Sequence, residues 1–449
     1  MTPQKNRSHT ALPRTTRASG RSLTRRAFLA VAASAAATGI AGGLTGCTSA
    51  KNIVVDEQPS AEPDTQLKFF GFKYEPLNVT AIEDILRAYM DEHPDVSIVY
   101  EGIKSRPYFE ALGKRLTSGN GDDVFMIDHD TGLIYADQGY LADLSDLPAI
   151  SSFSDLVLAQ MRSEGTILYL PTSITTFGLY CNKKMLSDEG IASPQTLPEF
   201  LKACQIFLDK GITPLVVNND ISLKTLAMAR GLAQTYASEK SVENIKSFND
   251  NPQALATALR DGFDVVEDLI ERGFIDTKVA LKTEKTADDL DQFATGTYPF
   301  MLTGSWASVR VHDLAPDLDY EVVPYPVLEE GSILVVNAGT RVSVNANSPH
   351  LAAAKDFLSF FSRPESIEHF ANSQCSFSPL IGNAAPDDKA LLPLSSAFEK
   401  GEVVIGPDDN LRYAIWEHLR KCVVAMLEGS SAAEAETLLL SLLEGGVSS

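Results

Sequence analysis

LKFFGF at 67–72, VSIVY at 96–100 and VFMI at 124–127 are three short apolar strands, and what stands between them decides the fold. Val79, Ile82, Leu86 and Tyr89 recur at helical spacing between the first two strands. An amphipathic run over 108–116 separates the second from the third. The βαβαβ order predicts a parallel sheet with helices on its faces.

Outward from this unit the pattern continues. A second α/β unit starts near Leu179, its helix announced by Thr196 as cap, Pro198 in the first turn and Glu199 as capping-box acid. A long helical region over about 221–272 leads to strands at 298–302, 320–324, 333–336 and 341–344. Ser348-Pro349 is expected to cap a helix running to Phe361. Two closing helices carry apolar stripes, Leu411, Ile415, Leu419, Val423 and Met426 on one and Ala435, Leu438, Leu439 and Leu442 on the other, both expected to face core.

The chain before this region is of another kind. Residues 1–46 hold seven Lys and Arg, no acid, and an Ala-rich apolar run at 27–43. That is the composition of a targeting segment, shorter than the roughly 20 apolar residues that span a bilayer. Arg25-Arg26, followed by Ala27-Phe28-Leu29, matches a twin-arginine export signal. Leu44-Thr45-Gly46-Cys47 resembles the bacterial lipobox, which implies lipid on Cys47. Residues 47–66 are polar and Pro-containing and are expected to form a flexible tether.

Beyond Cys47, 59 acids face 31 bases, which excludes nucleic acid as a partner. About four hundred residues suit two lobes better than one core. Cys181, Cys204, Cys375 and Cys422 stand in apolar surroundings without CxxC spacing, as buried thiols or disulfide partners.

Four blocks together resemble the sugar-type solute-binding proteins of ABC importers. They are Asp123-Val124-Phe125 with Gly139-Tyr140-Leu141 and Asp143-Leu144; Leu170-Pro171 with Leu179-Tyr180-Cys181-Asn182-Lys183; Phe293 to Gly296 with Met301 and Gly304-Ser305-Trp306; and Ser348-Pro349 with Ala354 and Phe357-Leu358. The resemblance implies an α/β fold of two doubly wound lobes with a hinge and an interlobe cleft, of the type II periplasmic binding kind. It assigns 67–171 and 338–388 to the first lobe, 172–290 and 390–449 to the second, and 291–337 to crossing segments. It also implies a monomer that delivers a carbohydrate to permease subunits, with no cofactor and no metal.

A sugar needs acceptors for its hydroxyls and an aromatic plate for its apolar face. Asp128, His129 and Asp130 follow the strand at 124–127, where α/β folds bind ligands, with helix capping as the alternative role of either acid. The resemblance places Trp306 on the cleft as a plate, and Trp416 either beside it or in the core. Tyr74 and Thr175 match contact positions. Gly339 would bring bare backbone near the ligand, and Arg341 is either a contact, which would suit an acidic sugar, or a strand-end charge.

The rival classes are a ligand sensor for a membrane kinase, which the sequence does not separate from an importer, and a lipid-anchored carbohydrate-active enzyme. Against catalysis, the chain has no GxGxxG after a strand, no GxSxG, no HExxH and no His/Cys cluster at metal spacing. Asp288-Asp289 is expected on a solvated helix.

Overall fold

The computed structural model describes residues 63–445 apart from positions 164, 286 and 383. The expected leader, Arg25, Arg26 and Cys47 lie outside the described residues. The opening unit forms as expected: β1 (Thr65–Gly71), α1 (Pro76–Glu92), β2 (Val96–Gly102), α2 (Ser105–Thr117) and β3 (Val124–Ile127). β1 pairs in parallel with both β2 and β3, and every residue of β3 is buried. α3 (His129–Asp137) follows directly.

Six further strands complete one mixed sheet: β4 (Leu170–Asn182), β5 (Leu215–Val216), β6 (Phe300–Gly304), β7 (Tyr320–Val323), β8 (Leu334–Val344) and β9 (Val403–Ile405). Its order is β2-β1-β3-β8-β4-β6-β5, with β9 beside β8 and β7 beside β4. The strands expected at 333–336 and 341–344 are one strand, because β8 stays paired with β4 through Asn337–Thr175, Gly339–Ser173 and Arg341–Pro171. The expected break survives as a kink. Thr340 sits at φ 44°, a left-handed conformation that costs a β-branched residue about 1–3 kcal/mol. Thr172 Oγ1 donates to its carbonyl at 2.8 Å, and its own hydroxyl donates to Gln374 Oε1 at 2.9 Å, which hold the residue there.

Two apolar cores form on this sheet, giving the two-lobed architecture. Phe69, Ile98, Tyr108, Phe125, Phe357 and Phe361 belong to the first, under α1, α2 and α8 (Leu351–Phe361). Phe200, Leu226, Leu259, Phe263, Leu419 and Leu439 belong to the second. They come from α4 (Leu197–Leu208), α5 (Ser222–Tyr236), α6 (Pro252–Glu271), α10 (Ile415–Leu427) and α11 (Ala432–Glu444). β4 serves both, with Leu170 and Ile174 in the first core and Leu179 and Cys181 in the second.

Local signals hold with three corrections. Thr196 caps α4 by accepting from the Glu199 amide, as expected, but Glu199 closes no capping box, since its carboxylate accepts from the Gln195 amide at 2.8 Å instead of the Thr196 amide. Ser348 caps no helix: the helix begins at Leu351, and the Ser348 hydroxyl instead donates to Asp123 Oδ1 at 2.6 Å, tying the loop to β3. Asp289 is buried rather than solvated, accepting from Asn218 Nδ2 at 2.8 Å. Cys181, Cys204, Cys375 and Cys422 are buried free thiols.

α5 and α6 approach closely because Gly231 and Gly262 present no Cβ at their contact. A Cβ at Gly262 would overlap the Ala227 backbone carbonyl of α5. Gly262→Ala is therefore expected to force the helices apart and destabilise by about 1–3 kcal/mol or more. Denaturant unfolding of the variant checks this; unchanged stability would mean that the helices separate at no cost.

Candidate functional site

Side chains alternate across a strand, so the β4–β8 register decides what faces the gap between the cores. Ser173, Thr175 and Phe177 share one face with their partners Gly339, Asn337 and Val335, and Phe177 also faces Gly304 of β6. A Cβ at Gly339 would meet Thr175 Oγ1 at 2.7 Å, so the two strands are close at this point. The candidate site lies on this face.

Both tryptophans of the chain meet on Phe177. Trp306, immediately before α7 (Ala307–Leu314), lies edge-on to it with centroids 5.4 Å apart, and Trp416 of α10 is tilted against it at the same distance. A Cβ at Gly304 would overlap the Trp306 indole, so glycine there is what lets the ring lie on β6. Both indoles are half-buried. This is a wall of aromatic faces mounted on the second core.

The polar groups come from α3, which packs against α10. Asp128 takes the capping role: its carboxylate accepts from the Thr131 amide at 2.9 Å and it is exposed. Asp130 differs, because its Oδ1 is buried without a hydrogen-bond partner. Burial, opposed by the charges of His129 and Lys224, raises its pKa to about 6. Asn337 Oδ1 is a second buried oxygen without a partner. Asp130 acts on Lys224, which stands on the Trp416 ring, and Asn337 is two residues along β8 from Val335, the partner of Phe177; orphan acceptors in this company suit a ligand that offers hydroxyl donors and an apolar ring face.

His129 and Arg341 are engaged elsewhere. Asp409 Oδ1 lies 2.6 Å from His129 Nδ1 and 2.6 Å from Arg341 Nη1, while Tyr169 donates to Asp409 Oδ2. Arg341 Nε also donates to the Ala338 carbonyl at 3.1 Å. Its guanidinium thus has its carboxylate already, which removes the reason to expect an acidic sugar. The second ring nitrogen of His129 lies 3.1 Å from the Tyr413 carbonyl, so both nitrogens face acceptors and the ring is satisfied as imidazolium. Burial opposes that charge, but the Asp409 hydrogen bond and charge overcome it and raise the His129 pKa. Burial likewise opposes ionisation of Asp409, and Arg341 and His129 outweigh it and hold the carboxyl below its ordinary value.

Asp409 arrives on a loop bound to the second core side by Asn249 Nδ2, which donates to the Asn410 carbonyl, and by the Tyr413 hydroxyl donating to the Asn249 carbonyl. The loop thereby bridges the lobes. Sequence reading missed Phe177, Lys224 and Asp409. The acidic pair Asp408-Asp409, flanked by Gly406-Pro407, was the available signal for the last. Tyr74 is half-buried, with Lys104 Nζ 5.7 Å from its ring centroid, and Arg310 of α7, the helix that follows Trp306, is among the charges acting on it.

A surface hollow of about 390 Å³ lies elsewhere, lined by Glu365, His369, Asn372, Ser378 and Asp387, and has neither an aromatic plate nor an orphan buried atom. Among the described residues no cluster of three or more His, Cys, Asp or Glu is placed to hold a metal ion. Among them, too, no helix is long and apolar enough to cross a membrane.

Comparison with known proteins bears on the family and the fold. The family model described as bacterial extracellular solute-binding protein matches residues 75–368. The melibiose/raffinose/stachyose-binding protein of Bacillus subtilis is 22% identical over 292 residues, covering 64% of this chain and 67% of that protein. The apo form of RafE from Streptococcus pneumoniae superposes with a TM-score of 0.67 at 17% identity, covering 86% of this chain and 98% of that one. A sugar transporter protein from Bacillus licheniformis in complex with stachyose gives a TM-score of 0.60 at 18% identity over 84% and 98% of the two chains.

Asp409→Asn leaves Arg341 and His129 without their buried counter-charge and is expected to cost about 3–5 kcal/mol. The pH dependence has a defined sign. His129, with its folded pKa raised, contributes stability below its unfolded value near 6.5 and loses it as pH rises through the folded value. Asp409, with its pKa lowered, contributes above its unfolded value near 3.9 and loses it as pH falls through the folded value. The stability gap between the parent and Asp409→Asn should therefore be widest in mildly acidic buffer and narrow above the His129 transition. Chemical denaturation across pH measures it; a gap that widens steadily into alkaline buffer contradicts the imidazolium assignment.

Proposed function

The chain belongs to the bacterial extracellular solute-binding protein family, and we propose that it captures a neutral oligosaccharide of the raffinose type between its lobes. It acts as a monomer outside the cytoplasm and delivers the sugar to the permease subunits of an ABC importer. The carrying observation is the pairing of Trp306 and Trp416 around Phe177 with the orphan acceptors Asp130 Oδ1 and Asn337 Oδ1. Sugar C–H faces stack on indoles, and sugar hydroxyls donate to the oxygens. The names of the relatives support the choice of sugar, since one is a melibiose/raffinose/stachyose-binding protein and RafE has been solved in complex with raffinose.

In this reading Asp130 and Trp306 contact the sugar, Trp416, Thr175 and Gly339 border it, and His129 and Arg341 hold the adjoining wall through Asp409. The order of residues 25–47 supports a twin-arginine signal at Arg25-Arg26 and lipid on Cys47, which would leave the binding lobes tethered to the outer face of the cell membrane. Cys47→Ser is expected to release the protein from the membrane fraction while keeping sugar binding. Retention of that variant in the membrane fraction would remove the lipid assignment.

Calorimetric titration with raffinose, stachyose and melibiose tests the function. Trp306→Ala is expected to weaken binding by roughly 30-fold to 1000-fold, equivalent to about 2–4 kcal/mol. Asp130 accepts hydroxyl donors better when ionised, so parent affinity should rise as pH passes upward through about 6, and Asp130→Asn should abolish that rise. Absence of binding to all three sugars by folded protein, or a Trp306→Ala variant of unchanged affinity, overturns the reading.

A further inference from the structure

Lys224, near the start of α5, is fully shielded from solvent. Its ammonium donates to Asp220 Oδ1 at 2.7 Å and stands 4.1 Å from the centroid of the Trp416 ring. Asp220 is shared, because Lys285 binds its other oxygen. One carboxylate therefore serves two ammonium groups, and the π face of Trp416 supplies much of what remains for Lys224. Of the other charges facing it, Glu417 is held by Arg420 through two contacts of 2.7 Å, and Asp130 lies across on α3. Arg420 faces Asp220 as well. Packing alone does not call for this arrangement, since an apolar side chain of similar volume fills such a place without the desolvation of an ammonium.

We propose that Lys224 is a positioning residue for the Trp416 plate: anchored by Asp220, its ammonium fixes the plane of the indole against Phe177. The backbone cooperates, because a Cβ at Gly406 would come within 3.2 Å of the same indole, so the ring has a wall on that side too. The purpose of the device rests on the carbohydrate reading above, whereas its geometry does not. Asp220 reaches Lys224 from one helical turn earlier and Trp416 from another element altogether, so the cation couples α5 to α10 at the edge of the cleft.

The chain has two tryptophans, so Trp306→Phe leaves Trp416 as the sole indole emitter. In that background, without any sugar, emission and anisotropy are recorded across pH. Burial pulls the Lys224 pKa down to about 8 against the attraction of Asp220, so an emission step centred near that pH is expected. Adding Lys224→Met should abolish the step and lower the anisotropy. Adding Lys224→Arg should also remove the step, because guanidinium does not titrate there, yet keep the anisotropy high. Equal anisotropy in the parent and Lys224→Met overturns the proposal whatever the titration shows, and Lys224→Gln takes the place of Lys224→Met in that comparison if the latter fails to fold. With Trp306 intact, Lys224→Met should weaken raffinose binding and Lys224→Arg largely preserve it. If the parent binds no raffinose, the sugar reading falls while the anisotropy result still decides the role of Lys224.

Discussion

The antiparallel pairing of β4 with β8 is the constraint on which the rest of this molecule depends. Both strands run through both cores, so the lobes share backbone hydrogen bonds as well as linking peptides. Because the side-chain period is two, a single register choice sends Thr175, Phe177, Asn337 and Gly339 to the cleft face together. It sends the Ile174 side chain to the opposite face, into the first core. A slip of one residue would exchange the two faces and take this set away from the cleft.

On that frame the two walls of the cleft divide their chemistry. The second core contributes the aromatic faces of Phe177, Trp306 and Trp416, and α3 contributes the acid Asp130. The Asp409 loop joins them through a buried cluster in which one carboxylate satisfies His129, Arg341 and Tyr169. Such a cluster is costly to desolvate and costly to break, so it specifies one arrangement of the loop more than it adds net stability.

How much of this could be read in the sequence follows the range of the interactions. The βαβαβ opening, the α4 cap and the closing helices were legible because periodicity and capping act within a few residues. Trp306 could be singled out because the surrounding motif carries it, and Asp130 because it follows the strand at 124–127. Lys224 and Asp409 were not, since each gains its role from partners far away in sequence: Trp416 for one, His129 and Arg341 for the other. Ser348 misled because a Ser-Pro pair before an apolar run has a cap's appearance, while the hydroxyl's actual acceptor, Asp123, lies far upstream. Asp289 misled in the same way: two adjacent acids look solvated until Asn218 is known to stand beside one of them.

The position of β8 in the sheet also bears on how the chain is made. It lies between β3 and β4, yet it is synthesised more than two hundred residues after β3. Until it emerges from the ribosome, β3 and β4 each keep an open edge, the kind of surface that mispairs with other nascent chains. Closing that gap is a late, long-range step and hence a slow one. A secretion route that accepts folded proteins, as proposed for the Arg25-Arg26 leader, would let the sheet close before the chain crosses the membrane.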